Sequence, residues 1–419
     1  MEYIFMHQNI PVAELEMDEA TGLIQKVNQV FAPEHLPTGV SVKKDGVDRA
    51  ALYEWWVDRS IPMNRAGVSA AMKELQLSDI RQLVLKSFGL SLSDQYWIKP
   101  VGQDLSWEQI NFFEHPFSED VGDVLFGVKK QDTEQEIDFV SPDNTTDGYL
   151  KKRWKLIDDR RYLLKDGSQP FFQQPFNEVI ASELMQHLGV RHVPYTLFCE
   201  NGKPYSVCED FLTKDTELVT AWRIMKTQKQ ANSTSVYQHV CNCCADLGVD
   251  VTTDLAQMIV VDYLIANEDR HLNNFGLIRN AKTLEWLGSA PIFDSGSSLG
   301  YDKPVWDIRS GWGITCKPFK RHHEKQLQLV TNFDWIDFSK LKDIKEVICH
   351  IMLEKTECEY FDERRAMVIA NSVENRIQKL KEVAADVSGK IININAQSST
   401  QDDVEKNVAE DYTRKNKEV

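Results

Sequence analysis

The chain has 419 residues, of which 42% are hydrophobic, so it can form two or three domains with full cores. Its formal net charge of −16 argues against direct binding to nucleic acid, which requires clustered positive charge. The first residues lack the basic and apolar segments of a signal peptide, and no apolar run reaches membrane-spanning length. These features predict a cytoplasmic protein that does not contact a membrane.

Residues 1–40 are predicted to form a β-hairpin module. Apolar side chains alternate through Tyr3–Met6 and Val12–Glu16, and turn residues fill Asp18–Gly22. Residues 41–139 are interpreted as a helical and aromatic N-terminal region, because the apolar residues of its first half follow helical spacing. Its aromatic residues belong either to a core or to a docking surface, and the sequence leaves both alternatives open.

Residues 140–212 are predicted to form a small β-rich lobe that begins with a loop. No G-x-G-x-x-G or G-x-x-x-x-G-K-[ST] motif occurs in the chain, but Thr145, Thr146 and Gly148 lie in a segment rich in turn residues. Backbone N–H groups of such a loop can surround phosphate oxygens. The alternative interpretation is an interdomain linker without nucleotide contact.

A strand and a helix follow this loop. Tyr162–Lys165 is a short apolar run that ends in a lysine, which could reach nucleotide phosphates. Apolar residues then follow helical spacing over Phe176–Leu188 and stop at Gly189. Glu178 lies beside that stripe and is predicted to pair with Lys165, as a helix glutamate does in protein kinases. The alternatives are a solvated strand end for the lysine and an ordinary surface position for the glutamate.

Residues 213–386 are predicted to form a helical lobe, after a strand and connector over Pro204–Leu212. The lobe contains a buried helix over Leu255–Ile265 and two short strands, Phe275–Ile278 and Pro291–Phe293. Two amphipathic helices close it. Residues 387–419 are polar and charged, which predicts a disordered tail.

Three residues in this lobe have the chemistry needed to move a phosphoryl group from ATP. Asp269 can orient a hydroxyl nucleophile and take its proton, while Asn274 and Asp294 can hold a magnesium ion that bridges the phosphates. Helix, loop, strand, turn, strand and Asp-x-Gly is the order in which kinase folds bring these groups to one cleft. The alternative is that Asp269 and Asn274 only cap turns.

The motif Asp269-Arg270-His271 with Asn274 resembles the catalytic loop shared by HipA-type serine/threonine kinases and phosphoinositide 3/4-kinases, in which the histidine follows the aspartate. The wider pattern, over roughly residues 140–385, is more similar to the HipA-like C-terminal domain. This resemblance implies an α+β, two-lobed, protein-kinase-like fold. The smaller N-terminal lobe would be β-rich and bind ATP, and the larger C-terminal lobe would be helical and catalytic.

The resemblance also implies a serine/threonine protein kinase that uses ATP and Mg²⁺ and acts on a protein substrate. Glu209 and Phe211 fall where the hinge of HipA-like kinases holds adenine. Ser141, Thr145 and Thr146 fall in a loop that these kinases can eject by autophosphorylation of a serine. HipA-like kinases often act as toxins beside a small DNA-binding antitoxin, which is therefore a possible partner.

Two alternative functions stay open from the sequence. A phosphoinositide-like or small-molecule kinase would share the Asp-Arg-His order, although the acidic chain argues against a lipid substrate. A non-catalytic module that binds nucleotide and regulates a partner would not need all of Lys165, Asp269, Asn274 and Asp294, and all four are present.

Overall fold

A computed structural model describes residues 1–43, 46–128, 136–353 and 361–388. The strands are β1 (Glu2–His7), β2 (Ile10–Asp18), β3 (Leu23–Val30), β4 (Val42–Lys43), β5 (Gly46–Val47), β6 (Tyr96–Pro100), β7 (Lys152–Ile157), β8 (Arg160–Lys165), β9 (Thr196–Glu200), β10 (Lys203–Glu209), β11 (Thr216–Thr220), β12 (Gly276–Asn280) and β13 (Trp286–Ser289).

The helices are α1 (Arg49–Val57), α2 (Val68–Glu74), α3 (Gln82–Lys86), α4 (Trp107–Ile110), α5 (Asp120–Phe126), α6 (Gln174–Leu188), α7 (Ala221–Met225), α8 (Val236–Asp246), α9 (Thr252–Leu264), α10 (Val305–Ser310), α11 (His323–Leu327), α12 (Ile344–Leu353) and α13 (363–388). None of these described helices is both long enough and apolar enough to cross a membrane. The tail predicted to be disordered lies, from residue 389 onward, outside the described residues.

The N-terminal module, residues 1–128, is built on a four-stranded antiparallel sheet in the order β3-β2-β1-β6. The strands predicted in residues 1–40 are present, but β6 comes from the region predicted to be helical and aromatic. The aromatic segment pairs with β1 over Tyr96–Pro100, and Tyr96 stacks on Phe5 with ring centroids 5.4 Å apart. The sheet therefore joins residues on both sides of the predicted boundary at residue 40.

The small lobe is a second antiparallel sheet, in the order β7-β8-β10-β9, with α6 packed against it. In this sheet Lys165 at the end of β8 pairs with Ser206 on one side and with Lys152 on the other. Helix α6 ends as predicted, because Gly189 adopts a left-handed conformation (φ 68°) that a glycine tolerates without strain.

The large lobe surrounds α9, whose residues pack into the largest hydrophobic cluster of the described chain. The predicted helix over Leu255–Ile265 matches α9 closely. The predicted strand over Pro291–Phe293 is wrong, because only Ile292 forms an isolated parallel bridge, with His192. Strand β12 instead pairs with β13, which lies in the segment read as a polar turn. The helical lobe thus contains a three-stranded sheet, β11-β12-β13, and the predicted α+β kinase-like fold with two lobes is confirmed.

Candidate active site

The loop that carries Asp269 begins where α9 ends. Ala266 takes a left-handed conformation (φ 51°), which ends the helix. The backbone N–H of Asp269 then donates to Asn267 Oδ1 at 3.0 Å. Asn274 Nδ2 donates to the carbonyl of Asp269 at 3.1 Å, so the loop closes on itself. Because the loop uses the nitrogen of the Asn274 amide, the oxygen is the end left for a cation.

A fully buried arginine connects this loop to α9 and to the segment that carries Asp294. The Arg270 guanidinium pairs with Asp262 at 3.0 Å, and both side chains are buried. It also donates to the carbonyls of Asn274 and Phe293 and to Ser295 Oγ. Arg270 therefore fixes the position of the loop that carries Asn274 relative to the segment that carries Asp294.

Lys165 of the small lobe contacts Asp294 of the large lobe. Its Nζ lies 2.7 Å from Asp294 Oδ1 and 3.0 Å from Glu178 Oε1, and it donates to the Tyr195 hydroxyl at 3.1 Å. The pair that the sequence predicted between Lys165 and Glu178 is therefore present in the structure. Both members of this pair are buried, which makes their charges interact strongly.

The charges of neighbouring side chains keep Lys165 and Asp294 ionised. Burial alone would lower the pKa of Lys165, but the carboxylates of Asp294 and Glu178 outweigh it and raise the pKa well above its usual value. Burial would likewise raise the pKa of Asp294, but Lys165 and Lys152 outweigh it and lower the pKa below its usual range. An ionised carboxylate at Asp294 is the form that can bind a metal ion.

Helix α6 holds the Asp-Ser-Gly turn. Glu178 Oε2 accepts from the backbone N–H of Ser295 at 2.8 Å, and Asn177 Nδ2 donates to the carbonyls of Gly296 and Ser298 at 2.9 and 2.7 Å. A Cβ atom at Gly296 would lie 3.2 Å from Gln174 and from Glu178, closer than most Cβ contacts. Gly296 therefore allows the Asp-Ser-Gly turn to pack closely against α6.

Asp269 is half-exposed and contacts a lysine from the segment after α10. Lys317 Nζ is 2.7 Å from Asp269 Oδ1, and these side chains are 56% and 44% exposed. An ion pair this exposed contributes little to stability, about 0–1 kcal/mol, so it can open for a substrate.

The site residues line one cleft of about 290 Å³ between the lobes. Of the residues predicted from sequence, those in the cleft wall are Thr145, Thr146, Gly148, Lys165, Glu209, Phe211, Asn274 and Asp294. Asp269 lies outside that wall, beside His271 of the same loop, which does line it. Glu178 lies behind the wall, where it holds Lys165 and Ser295.

Lys152 is a functional candidate that the sequence reasoning missed. It lies directly across from Lys165 in the sheet and lines the same cleft. Burial lowers the pKa of Lys152 to about 8, and the nearby Asp294 only partly opposes this shift. A Cβ atom at Gly148, whose φ is 95°, would lie 2.6 Å from Lys152 Nζ, so the loop passes directly over the ammonium group. The position of Lys152 directly after the loop was the available signal.

The loop over Lys152 is ordered by its own hydrogen bonds. Thr145 Oγ1 donates to the carbonyl of Leu90 at 3.2 Å, and Thr146 Oγ1 donates to the carbonyl of Asp143 at 2.9 Å. Ser141 is fully buried, so in this conformation its hydroxyl cannot be reached from solvent. The loop lines the cleft, which favours the phosphate-binding interpretation over a linker.

The opposite end of the cleft is formed by the predicted hinge. Glu209 is exposed and lies 3.4 Å from Arg160, while the Phe211 ring is 5.7 Å from the ring of Phe293. Between them, burial raises the pKa of Asp210 to about 7, and its Oδ2 is buried without a hydrogen-bond partner among the described residues. Asp210 lines the cleft, so this unpaired oxygen is a candidate hydrogen-bond partner for a ligand once it is uncovered. The sequence reasoning passed over Asp210.

The residues present fit a magnesium nucleotide. The oxygens of Asn274 and Asp294 are hard ligands, and magnesium needs only one or two protein oxygens because it retains several waters. Lys152 and Lys165 supply positive charge beside them for phosphates. Phe211 supplies an aromatic surface at the far end, where a purine ring can pack.

Comparisons with known proteins agree with this geometry. A family model described as the HipA-like C-terminal domain matches residues 145–381, more than half of the chain. The serine/threonine-protein kinase CtkA of Helicobacter pylori is 30% identical over 131 residues, which are 30% of this chain and 40% of that relative. The alignment thus covers less than half of CtkA.

Two solved structures are also similar. The crystal structure of the proinflammatory kinase CtkA has a TM-score of 0.43 and 19% identity, and covers 57% of this chain and 95% of CtkA. The HipA of Shewanella oneidensis MR-1, solved with HipB and its operator DNA, has a TM-score of 0.50 and 12% identity. It covers 91% of this chain and 99% of its own, which extends the similarity in fold beyond the matched domain. By its match to the family model, the chain belongs to the HipA-like C-terminal domain family.

Proposed function

We propose that the protein is a serine/threonine protein kinase that transfers the γ-phosphoryl group of ATP, with Mg²⁺, to a hydroxyl of a protein substrate. The observation that carries the proposal is the contact of Lys165 with both Glu178 and Asp294 across the cleft between the lobes. The same lysine, helix glutamate and metal-loop aspartate must come together in active protein kinases. Kinship with CtkA, which is named a serine/threonine-protein kinase, supports the same activity.

Each residue has a defined part in this proposal. Asp269 orients the acceptor hydroxyl and takes its proton, and its carboxylate becomes available when Lys317 moves aside. Asn274 and Asp294 bind magnesium through their side-chain oxygens. The bound ion neutralises the phosphate charge. Lys165 steadies the phosphates, and its position is set by Glu178.

The remaining predicted residues bind the rest of the nucleotide in this proposal. Phe211 packs on adenine, and the hinge at Glu209 borders it. Thr145, Thr146 and Gly148 cover the phosphates, mainly through the backbone of their loop because both threonine hydroxyls already donate within the protein.

Single substitutions test the proposal. With MgATP and a library of peptides that contain serine and threonine, Asp269→Asn should reduce phosphate transfer by about 10²- to 10⁴-fold, the usual contribution of a general base. Asp294→Ala should abolish transfer. Asp334→Asn, at an exposed aspartate elsewhere on the large lobe, is the matched control and should retain full activity. Full activity in Asp294→Ala would refute the assignment.

We also propose two finer features, autophosphorylation in the phosphate loop and a partner of the antitoxin kind. Mapping of phosphate sites after incubation with MgATP would test Ser141, Thr145 and Thr146. The fold shared with a HipA that was solved with HipB and operator DNA supports a small DNA-binding partner. Co-purification with the product of a neighbouring helix-turn-helix gene would test this, and a protein that purifies alone beside such a product would contradict it.

A further inference from the structure

The N-terminal module forms one wall of the nucleotide cleft. Thr38, Trp55, Arg59, Asp94 and Tyr96 all line the same cavity as Lys165 and Asp294, although the matched family domain begins only at residue 145. The nucleotide cleft is therefore not built from the two kinase lobes alone.

The N-terminal wall of the cleft is hydrogen-bonded to residues 213–218, which follow the hinge. The N–H of Leu218 donates to the carbonyl of Ser93 at 3.0 Å. Gln95 Nε2 donates to the carbonyls of Thr213 and Thr216 at 3.0 and 2.8 Å. Because residues 209–211 form the hinge, the segment around Asp94 lies beside the part of the cleft that immediately follows the hinge.

Arg59 is held against this segment with one donor unused. Its Nη1 lies 2.5 Å from Asp94 Oδ2, its Nη2 donates to the carbonyl of Gly89 at 2.6 Å, and its guanidinium lies 4.6 Å from the centre of the Trp55 ring. The residue is only 8% exposed. Within the part of the chain that the structure describes, its Nε and the buried Oγ1 of Thr38 have no hydrogen-bond partner. Both residues line the cleft, so a small side-chain movement that uncovers these unpaired atoms would provide hydrogen-bond partners for a ligand.

A second arginine of the module holds the phosphate loop. Arg65 Nε donates to the carbonyl of Gly148 at 2.8 Å, and its Nη1 donates to Thr146 Oγ1 at 2.7 Å. Its Nη2 donates to the carbonyl of Thr146. With three donors in a rigid fork, Arg65 fixes the carbonyl side of the loop and so sets where the loop passes over Lys152.

We propose that the N-terminal module is part of the nucleotide site, with Arg59 Nε and the Thr38 hydroxyl as hydrogen-bond partners of the ribose and Arg65 as a positioning residue of the phosphate loop. The inference rests on the proposed function. Adenine lies at Phe211 and the phosphates lie at Lys152 and Lys165, so the ribose lies between them. A ribose hydroxyl can accept a hydrogen bond from Arg59 Nε. A ribose hydroxyl can also donate to, or accept from, the hydroxyl of Thr38.

The ribose contacts are tested by comparing two nucleotides on the full-length chain. We would measure equilibrium binding of MgATP and of its 2′,3′-dideoxy analogue by calorimetry. The wild type should bind ATP about tenfold more tightly, the worth of a charge-assisted hydrogen bond. Arg59→Lys, which retains the charge beside Asp94, and Thr38→Val should each reduce this preference while binding the dideoxy analogue as the wild type does. Arg49→Lys, at an exposed arginine of the same module, should change neither affinity.

The positioning role of Arg65 is tested by comparing ATP with adenosine, which has no phosphates. Arg65→Lys should weaken MgATP binding about tenfold or more and leave adenosine binding within about twofold, since only the loop is disturbed. An equal loss for both ligands would overturn the positioning role, because it would indicate general damage to the cleft.

The remaining outcomes separate the two proposals. If the wild type binds MgATP but does not discriminate against the dideoxy analogue, or if the Arg59 and Thr38 variants retain the full preference, the ribose assignment is wrong and the kinase proposal stands. If the wild type binds no MgATP, the proposed function itself fails, and the assignment falls with it.

Discussion

Removing the Arg270 guanidinium should damage stability and activity by different routes, which a second substitution can separate. In Arg270→Met, Asp262 loses its counter-charge while fully buried, and the carbonyls of Asn274 and Phe293 lose a shared donor. In Asp262→Leu/Arg270→Met no charge is left buried, but the two loops still lack their common donor.

The magnitudes follow from the burial of the pair. Breaking a buried ion pair by removal of one partner costs about 3–5 kcal/mol, because the other charge is left uncompensated. The double variant should recover most of this loss, leaving about 1–3 kcal/mol because Asn267 Nδ2, which donates to Asp262 at 2.8 Å, has lost its acceptor. Activity should not recover, because a displacement of about 1 Å of Asn274 relative to Asp294 is enough to reduce turnover about 100-fold.

Urea denaturation gives the free energy of unfolding, and phosphate transfer from MgATP gives the activity. Lys345→Met is the control, since the half-exposed pair of Lys345 with Glu374 should contribute only about 0–1 kcal/mol. The reasoning would be refuted if the double variant were as active as the wild type, or if Arg270→Met were as stable as the wild type.

Three further predictions concern single side chains. Lys152→Met should weaken MgATP binding about tenfold without weakening adenosine binding, as measured by calorimetry, because Lys152 lines the cleft and in the proposed function contacts only the phosphates. Lys317→Met should change the melting temperature little but alter the pH profile of kcat, because Lys317 contacts the carboxylate of Asp269; an unchanged profile would contradict this. Burial raises the pKa of Asp143 from 3.8 to about 7, so the folded state binds more protons than the unfolded chain between these values. Stability should therefore fall as pH rises through this window, and it should fall less in Asp143→Asn, in which Asp210 still has a raised pKa. Melting temperatures at pH 5 and pH 8 measure this fall, and an equal fall in the two proteins would contradict the role of Asp143.

The parts of the site that could be predicted are those that a local segment determines. Asp269 and Asn274 lie on one short loop after a buried helix, and Asp294 lies in a turn whose residue types are specific. Lys165 and Glu178 come together because a strand end and the following helix must pack against each other in this fold. Short-range spacing, element order and the family resemblance together were therefore enough to single out these five residues, whose catalytic roles stay predictions.

The parts that could not be predicted depend on long-range contacts. Lys152 directly follows the predicted loop, but its place beside Lys165 depends on the register in which β7 pairs with β8, which the local sequence does not specify. Asp210 can be recognised as a candidate only from the structure, in which its Oδ2 is buried and has no hydrogen-bond partner among the described residues. Arg65 contacts residues 81 and 83 positions away, a relation that no local pattern of the sequence indicates. Strand β13 was missed because its residues resemble a polar turn until β12 is placed beside them.

The most direct test of the kinase proposal is the intact mass of the full-length protein and of a serine- and threonine-containing peptide library after incubation together with MgATP. An Asp269→Asn sample is run in parallel. We predict added phosphate on hydroxyl side chains of the protein or of the peptides in the wild-type sample, and at least about 100-fold less in the Asp269→Asn sample after the same short incubation. Phosphate in neither sample, or equal phosphate in both, would contradict the assignment of Asp269 and Asp294 to phosphoryl transfer.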